Sequence, residues 1–185
     1  ADFVAKPYKP QIILHRVAGI IHLRETAALV NEFQYDRLTG LYSRGFFNQQ
    51  VKEILRRNPG KAYDIICSDI VNFKLINDVF GVPTGDRLLC KTAETYTELT
   101  RDRGICSHFH ADQFACLIEH RWDYTDEMFQ DACGRIMEMS QTRNVVIKWG
   151  VYHVEDRDVA VERMCDRALL AARSIKEQYN KYFAY

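Results

Sequence analysis

The sequence D-I-V-N-F-K-L-I-N-D-V-F-G-V-P-T-G-D-R-L-L, which runs from Asp69 to Leu89, holds the strongest indication of the fold. It overlaps a short apolar run at 62–70, which predicts a buried strand with a carboxylate at its carboxyl end. Helical periodicity then predicts a helix from about Phe73 to Phe80, and G-V-P-T-G at 81–85 predicts a break before a second helix. A buried strand followed by helices indicates a domain that contains both element types.

Strands and helices continue to alternate after that segment. Residues 104–109 and 113–119 predict two strands joined by a tight turn, and residues 144–154 predict a further strand. Helices are predicted between and after them, at about 128–139 and 161–175. We therefore expect an α/β fold of the α+β sandwich type, in which a central mixed sheet with a βαββαβ core, close to the split βαβ plan, is flanked by helices.

Two more helices are predicted before the first strand. Apolar residues recur at helical spacing from Pro10 to about Gln34, and we interpret this segment as one long amphipathic connector helix. Ser43 is a suitable N-cap for the next helix, which ends at N-P-G, residues 58–60. We expect an N-terminal part at 1–34 and a main domain at 35–185.

The bulk composition limits the choice of partners. The 185 residues are 47% hydrophobic, which is enough for a sizeable core. The 25 basic and 25 acidic residues cancel, so we expect neither nucleic acid nor a membrane as a partner. Six cysteines are scattered without a zinc-like spacing, and neither a signal peptide nor a membrane-spanning run is evident. These features favour reduced thiols and a cytoplasmic location.

Three segments together resemble the GGDEF family, from Tyr35 to near the end of the chain. D-R-L-T-G-L-Y-S-R, from Asp36 to Arg44, is similar to the family's D-x-L-T-G-L-x-N-R. The segment from Asp69 to Leu89 is similar to D-x-D-x-F-K-x-I-N-D-x-x-G-H-x-x-G-D-x-L-L. H-A-D-Q-F, from His110 to Phe114, stands on the predicted hairpin, where the family has its signature G-G-D/E-E-F. The middle motif is long and specific, whereas either of the others alone would be a weak signal.

The resemblance implies a nucleotidyl-cyclase fold that joins two GTP molecules into cyclic di-GMP with the help of Mg²⁺. In that reaction a ribose 3′-hydroxyl attacks an α-phosphate, and Mg²⁺ offsets the charge of the triphosphate. The positions that match the family's metal ligands are Asp69, the Ile70 carbonyl and Asp112. The residue types agree, because two carboxylates on adjacent elements can hold such an ion. The alternative for Asp69 is that it caps the turn after its strand.

Four further positions match substrate-binding residues of the family. Asn77 and Asp86 correspond to residues that read guanine, and an amide with a carboxylate can pair with a purine edge. Lys74 and Arg173 correspond to phosphate-binding lysines. The local alternatives are that Asn77 closes one helix, that Asp86 starts the next, and that Lys74 is a solvated surface lysine.

The signature motif departs from the family at three of its five positions, although Asp112 and Phe114 are retained. His110 and Ala111 replace two glycines, and a Cβ at either position makes a positive φ costly. At the catalytic positions, Asp112 remains but Gln113 replaces a glutamate. A neutral amide then stands where an anion would flank the metal and transfer a proton. We therefore expect weak turnover or none.

Other family contacts are also altered. The product-inhibition motif R-x-x-D is represented by Arg101 alone, because Gly104 replaces the aspartate, and feedback binding of cyclic di-GMP is not expected there. Val71 replaces the second aspartate of D-x-D. Glu177 stands where the family has an arginine, a contact that is lost unless Lys176 or a shifted register replaces it.

The hairpin permits a different metal site as well. In H-F-H-A-D, His108, His110 and Asp112 alternate along a strand, so their side chains would project from one face and could bind a metal ion, as in metallohydrolases. No further ligand stands at a recognisable spacing. The alternative is that these are surface histidines of a strand.

The first 25 residues resemble the closing part of a response-regulator receiver domain. The resemblance rests on the Lys6-Pro7 pair, which in that family lies near the phosphorylation pocket and opens into the final helix. It implies an upstream receiver domain, a connector helix that pairs with a second copy in a homodimer, and an arrangement in which an EAL phosphodiesterase domain often follows. The alternative for the apolar helix is packing against the receiver.

Three interpretations of function remain open. We favour a module of a two-component response regulator, a degenerate GGDEF domain that binds GTP or a related guanine nucleotide and acts in regulation. The first alternative is an active diguanylate cyclase, because the matching residues Asp69, Asp112, Asn77, Asp86 and Lys74 are all present. The second is a dimerisation or interaction scaffold that binds no nucleotide.

Overall fold

The computed structural model describes the backbone of residues 10–185 and their side chains except those at 10, 12, 25–28, 31 and 102. The Lys6-Pro7 pair lies outside the described residues. Within this range the helices are α1 (Pro10–Gln34), α2 (Arg44–Arg57), α3 (Phe73–Phe80), α4 (Val82–Thr100), α5 (Asp126–Ser140) and α6 (Val161–Ser174), with a 3₁₀ turn at Arg101–Arg103. The strands are β1 (Tyr63–Ile70), β2 (Gly104–His110), β3 (Gln113–Glu119), β4 (Ile147–His153) and β5 (Phe183–Ala184).

The strands form one mixed sheet in the order β2-β3-β1-β4-β5. β1 lies at the centre and is antiparallel to both β3 and β4. β2 and β3 form the predicted hairpin, and β5 joins β4 in parallel. The first four strands have the order of the split βαβ plan, which confirms the predicted α/β sandwich.

Helices cover both faces of the sheet. Because side chains alternate along a strand, Ile65 faces α2 and α6, where it packs in one core with Phe47 and Met164. Ile70 faces the other way and belongs to a second core with Leu88 of α4. The sheet therefore separates two hydrophobic cores, and the central strand β1 contributes to both.

The boundaries of the predicted elements agree with the structure except at two places, and the short strand β5 was not predicted. The break between α3 and α4 is only Gly81, with a φ of +84°, because α4 begins at Val82. Asp86 therefore lies inside α4, and the alternative that it starts this helix is wrong. The last long strand begins at Ile147 rather than at Asn144, because Asn144 has a φ of +59°, which a strand does not adopt.

α1 is a continuous helix over the predicted range, but its predicted amphipathic character is wrong. At 100° per residue, Ile13, Val17 and Ile20 share one side of the helix, whereas Leu29 and Phe33 lie on the opposite side. All five side chains are exposed. The apolar surface of α1 thus changes side along its length.

Ser43 joins the end of α1 to the start of α2. Its Oγ accepts a hydrogen bond from the Phe46 N–H at 3.2 Å, which confirms the predicted N-cap. The same hydroxyl donates to the Phe33 carbonyl at 2.6 Å, and the Ser43 N–H donates to the Gln34 carbonyl at 2.8 Å. One residue therefore fixes how the long helix leaves the domain.

All six cysteines are free thiols, as predicted. Five of them are buried and Cys90 is partly buried. No helix in the described part of the chain is long and apolar enough to cross a membrane.

Candidate nucleotide and metal site

The carboxyl end of β1 meets the turn between β2 and β3. Asp69 pairs with Gln113 in the antiparallel register of β1 and β3, and the Ile70 N–H donates to the Asp112 carbonyl at 3.2 Å. Directly opposite residues of an antiparallel pair project from the same face, so the side chains of Asp69 and Gln113 are neighbours. Asp69 is buried and Asp112 half-buried. The fold therefore brings together the two carboxylates that were predicted as metal ligands.

The turn itself consists of Ala111 and Asp112, since His110 pairs with Gln113. Ala111 has a φ of +49°, in the left-handed region. For a residue with a Cβ this conformation costs roughly 1–2 kcal/mol. The chain thus keeps the backbone conformation that a glycine adopts freely, and it does so with a residue that is strained there.

His108 connects this turn to the D-R-L-T-G-L-Y motif. Its Nε2 lies 3.0 Å from the Ala111 carbonyl oxygen, and its Nδ1 lies 3.0 Å from Oδ1 of Asp36. The imidazole also stacks on Phe114, with ring centroids 4.7 Å apart. Burial favours the protonated form of Asp36, but hydrogen bonds from Thr39 and His108 hold the pKa of this carboxyl below its usual value. The strained turn is therefore supported by a buried polar link.

The alternative metal site of the hairpin histidines is not formed. His108 is buried, with both ring nitrogens engaged, whereas His110 is exposed. The register of the pairing between β2 and β3 shifts between the two residues. The regular alternation that would place both side chains on one face is therefore interrupted. The prediction of a surface histidine is wrong for His108 and confirmed for His110.

The two carboxylates influence each other electrostatically. Burial raises the pKa of Asp112, and the negative charge of Asp69 raises it further. Lys176 and His110 lower the pKa of Asp112 and so act in the opposite direction. Repelling carboxylates at a strand end are typical of a site that binds a cation. Lys176 is therefore a basic side chain that acts electrostatically on this site. It precedes Glu177, which stands where the family has an arginine.

Asn77 lies near the end of α3, with its side chain against the start of α4. Its Oδ1 is buried and has no hydrogen-bond partner among the described residues. Gly85 makes this position possible, because a Cβ on Gly85 would lie only 1.9 Å from that oxygen. Asp86 follows directly and is half-buried. An amide oxygen and a carboxylate are both acceptors for the N–H groups of a purine edge.

The two predicted phosphate-binding cations lie on the surface. Lys74 is in the first turn of α3, four residues after Ile70, and its side chain is exposed. Arg173 is in the last turn of α6 and is exposed as well. Both are free to contact an anionic ligand from solvent.

The predicted remnant of an inhibitory site has no room for its missing carboxylate. Arg101 is exposed at the end of α4. Gly104 begins β2 in an extended conformation, and a Cβ there would lie 2.2 Å from the Leu117 carbonyl oxygen on β3. An aspartate at 104 would therefore displace the neighbouring strand.

Lys148 is a neighbour of the site that the sequence analysis missed. It pairs with Asp69 in the register of β1 and β4, so it shares a face with Asp69 and Gln113. The side chain is buried, and Nζ donates to the Gln178 carbonyl at 2.7 Å and to the Lys181 carbonyl. Burial lowers the pKa of Lys148. A lysine within the apolar sequence V-V-I-K-W-G-V was the signal that could have identified it.

Comparison with protein-family models matches residues 33–181 to the family described as diguanylate cyclase, GGDEF domain. The chain belongs to the GGDEF family. Over 100 residues the GGDEF domain is 34% identical to the cyclic di-GMP phosphodiesterase NbdA of Pseudomonas aeruginosa, a match to 53% of this chain and 13% of that protein. Over 184 residues it is 28% identical to a diguanylate cyclase of Vibrio cholerae, a match to 87% of this chain and 57% of that protein. The chain thus spans 13% and 57% of the lengths of these two relatives.

A solved structure supports the fold of this GGDEF domain. The coiled coil and GGDEF domain of DgcB from Caulobacter crescentus, in complex with c-di-GMP, superimposes with a TM-score of 0.71 at 18% identity. The match covers 95% of this chain and 97% of that chain. At this identity the similarity is one of fold.

The GGDEF domain therefore has one group of oxygen donors at the turn and a second group of polar side chains at the α3–α4 junction. Asp69, Asp112 and the Ile70 carbonyl are the kind of all-oxygen donor set that Mg²⁺ prefers. Asn77 and Asp86 lie at the α3–α4 junction, apart from the turn. The arrangement lacks a carboxylate at position 113, where an amide faces Asp69 instead.

Proposed function

We propose that this GGDEF domain binds GTP together with Mg²⁺, acts as a regulatory module in cyclic di-GMP signalling, and has weak diguanylate cyclase activity or none. The observation that carries the proposal is the pairing of Gln113 with Asp69, because it puts a neutral amide at the position of the family's glutamate. Binding and chemistry depend on different residues in this domain, so one can persist without the other.

The proximity of Asp69 and Asp112 supports the binding half of the proposal. Asp69 raises the pKa of Asp112, so the two negative charges are close enough to repel each other. Bound Mg²⁺ would supply the positive charge that offsets both the carboxylates and a triphosphate. Asp69, Asp112 and the Ile70 carbonyl would hold the ion, and Lys74 and Arg173 would contact phosphates from the surface.

The junction of α3 and α4 supports guanine as the base. The buried Asn77 Oδ1 has no partner among the described residues, and such a group costs free energy until a ligand or water pairs with it. Asp86, in the first turns of α4, would add an ionisable acceptor. A purine with two adjacent N–H groups fits these acceptors better than one that offers a single amino group.

Two features oppose turnover. Gln113 cannot accept a proton as a carboxylate does, and general acid–base catalysis typically contributes a factor of about 10²–10⁴ to a rate. Ala111 introduces a methyl group in a turn at which the family's main chain approaches the nucleotide.

Product inhibition through Arg101 is not expected, because there is no room for a carboxylate side chain at Gly104.

The domain context is part of the same proposal. We expect an upstream receiver domain, on the resemblance around Lys6-Pro7, and a downstream EAL domain is compatible with the match to a phosphodiesterase. α1 would transmit the state of the receiver and pair with a second copy, because its described part exposes apolar side chains in both halves of the helix, such as Ile13 and Phe33. The similar solved chain also comprises a coiled coil and a GGDEF domain. A cytoplasmic location follows from this role.

An active diguanylate cyclase is the second candidate. It is favoured by the presence of Asp69, Asp112, Asn77 and Asp86, and by the similarity to a named diguanylate cyclase over 87% of this chain.

Calorimetric titration with GTP and Mg²⁺, combined with chromatographic detection of cyclic di-GMP, separates the candidates. We expect saturable GTP binding, weaker binding of ATP, and product formation at least about 100-fold slower than in a variant with the glutamate restored. The substitution Asn77→Ala should weaken binding, whereas Asn180→Ala, at an exposed position, should not. Rapid turnover by the natural sequence would establish the active enzyme, and absence of binding would leave a scaffold.

A further inference from the structure

Three side chains meet at the end of the sheet that lies farthest from the nucleotide site. Asp64 is near the start of β1, His120 follows the end of β3, and His153 ends β4. Asp64 and His153 are direct partners in the register of β1 and β4. Asp64 is five residues from Asp69, so about 16 Å of strand separates the two carboxylates, and they project from opposite faces.

The imidazoles converge on one oxygen. Nδ1 of His120 and Nδ1 of His153 each lie 2.6 Å from Oδ1 of Asp64. Possible ligand atoms of all three residues lie within 4.8 Å of one another. Asp64 and His153 lie in adjacent strands, and His120 directly follows β3, where its N–H donates to the Ala62 carbonyl at 2.9 Å, so the pairing at this end of the sheet sets the separation of the three side chains.

A second set of contacts orients the carboxylate. Oδ2 of Asp64 accepts hydrogen bonds from the Arg121 N–H at 3.2 Å and from the Tyr124 hydroxyl at 2.7 Å. Carboxylates that bind metal ions are commonly held in this way by groups around them.

The charge of Asp64 is not balanced by an arginine or lysine among the described residues. Asp64 is completely buried. The nearby guanidinium of Arg121 is paired with Asp123, at 2.9 and 2.7 Å. Among the side chains that the structure describes, only the two imidazoles approach Asp64 as possible cations. Buried carboxylates are stabilised by a paired cation or by a metal ion.

One of the two histidines has a ring nitrogen without a hydrogen-bond partner in the described structure, and the other is accessible to an ion from solvent. The side chain of His120 is 8% exposed, and its Nε2 is buried without a hydrogen-bond partner in the described structure. His153 is 35% exposed, and its ring is next to the exposed Tyr185, so this side is open to solvent. Metal–ligand distances of about 2.0–2.2 Å require only that the imidazoles move back slightly from Asp64.

We propose that Asp64, His120 and His153 bind a divalent transition-metal ion such as Zn²⁺. Two imidazole nitrogens and one carboxylate oxygen supply three ligands, and water completes the coordination on the open side of His153. Nitrogen donors select such ions over Mg²⁺, which prefers oxygen. The ion would link β1, β3 and β4 at the end of the sheet remote from the nucleotide site, and would stabilise the fold whether or not GTP binds.

Zn²⁺ titration of the metal-stripped full chain tests the proposal, with excess Mg²⁺ present to occupy sites made of oxygen ligands. We expect one equivalent of Zn²⁺ to bind and to raise the melting temperature. His153→Gln should weaken Zn²⁺ binding by about 100-fold or more, since loss of a ligand removes a third of the protein's donors. His15→Gln, at an exposed position of α1, is the matched control and should bind as the natural chain does.

Co²⁺ provides a readout that does not depend on any variant. Bound through two imidazoles and a carboxylate, Co²⁺ should show visible ligand-field bands without the intense near-ultraviolet charge-transfer band of a thiolate ligand. A thiolate band would assign the ion to cysteine and overturn the proposal. Unchanged Zn²⁺ affinity in His153→Gln, or an affinity weaker than about 0.1 mM in the natural chain, would also overturn it.

Discussion

Gln113 lies directly opposite Asp69 across strands β3 and β1. Lys148 lies opposite the same aspartate on the other side, so three polar side chains of different charge share one face at the end of the sheet. The lysine donates its hydrogen bonds to the main chain of the C-terminal segment, which leaves Gln113 as the side chain next to Asp69 on the turn side. The identity of residue 113 therefore determines whether this end of the sheet carries two carboxylates, those of Asp69 and Asp112, or a third one as well.

Restoring the glutamate should increase cyclase activity. In Gln113→Glu combined with Ala111→Gly, a carboxylate is available for proton transfer and the turn loses a strained Cβ. We expect cyclic di-GMP production from GTP and Mg²⁺ to rise by about 10²-fold or more, measured by chromatography. Gln130→Glu, at an exposed position of α5, adds the same charge away from the site and should change nothing. Unchanged production in the double variant would move the defect elsewhere, with Val71 as the next position to examine.

Gly85→Ala should impair nucleotide binding. The new Cβ would lie 1.9 Å from Asn77 Oδ1 and 3.1 Å from the Phe73 ring, so the amide must leave its position. We expect GTP affinity to fall at least about 10-fold, measured by calorimetry, because the base-reading acceptor is displaced. Gly134→Ala in α5 has open space around its Cβ and serves as the control. Full GTP affinity in Gly85→Ala would exclude Asn77 as a contact to the base.

The pH dependence of stability should report on Asp112. The pKa of Asp112 is raised in the folded protein, so its ionised form is less favourable there than in the unfolded chain. This destabilisation is complete above the folded-state pKa, and it is relieved as the pH falls through that pKa toward the ordinary value of 3.8.

Asp112→Asn removes this effect. At pH 7 the variant should equal the natural protein in its free energy of unfolding or exceed it by up to about 1 kcal/mol, and the difference should shrink as the pH approaches 4. Mg²⁺ should raise the melting temperature of the natural protein and not that of the variant. Asp131→Asn, exposed on α5, should follow the natural protein in both measurements. A variant that is stabilised by Mg²⁺ as strongly as the natural protein would remove Asp112 from the metal site.

Gly150→Ala should destabilise the fold. Its Cβ would lie 1.7 Å from the Ala168 carbonyl oxygen and 2.8 Å from the Ala172 nitrogen, so β4 and α6 must separate. We expect the free energy of unfolding in urea to decrease by about 3 kcal/mol, the upper range for overpacking. Gly134→Ala should instead increase it by about 0.5–1 kcal/mol, because alanine favours a helix interior. Equal stability of the two variants would contradict the close packing of β4 against α6.

Local features of the sequence were sufficient for the family and for every α-helix and strand except the two-residue strand β5. The apolar run before Asp69, the helical periodicity from Phe73 and the glycine at 81 each act over a few residues, and the observed β1, α3 and α4 follow them closely. Helical periodicity predicted α1 itself but not the side on which its apolar residues lie. The apolar positions suggested one continuous stripe, yet over the 25 residues of the helix those of the first half and those of the second half lie on different sides.

The sequence by itself determined the fold class, the order of the elements and the positions of the family's motifs, because hydrogen bonding within helices and alternation within strands depend on near neighbours. Only the tertiary structure decided which side chains meet. The link from His108 to Asp36, the place of Lys148 beside Asp69, and the cluster around Asp64 join residues that are far apart in the chain; His120 and His153 are 56 and 89 positions from Asp64. Such contacts depend on strand register and helix packing, which are set by the burial of the two cores as a whole.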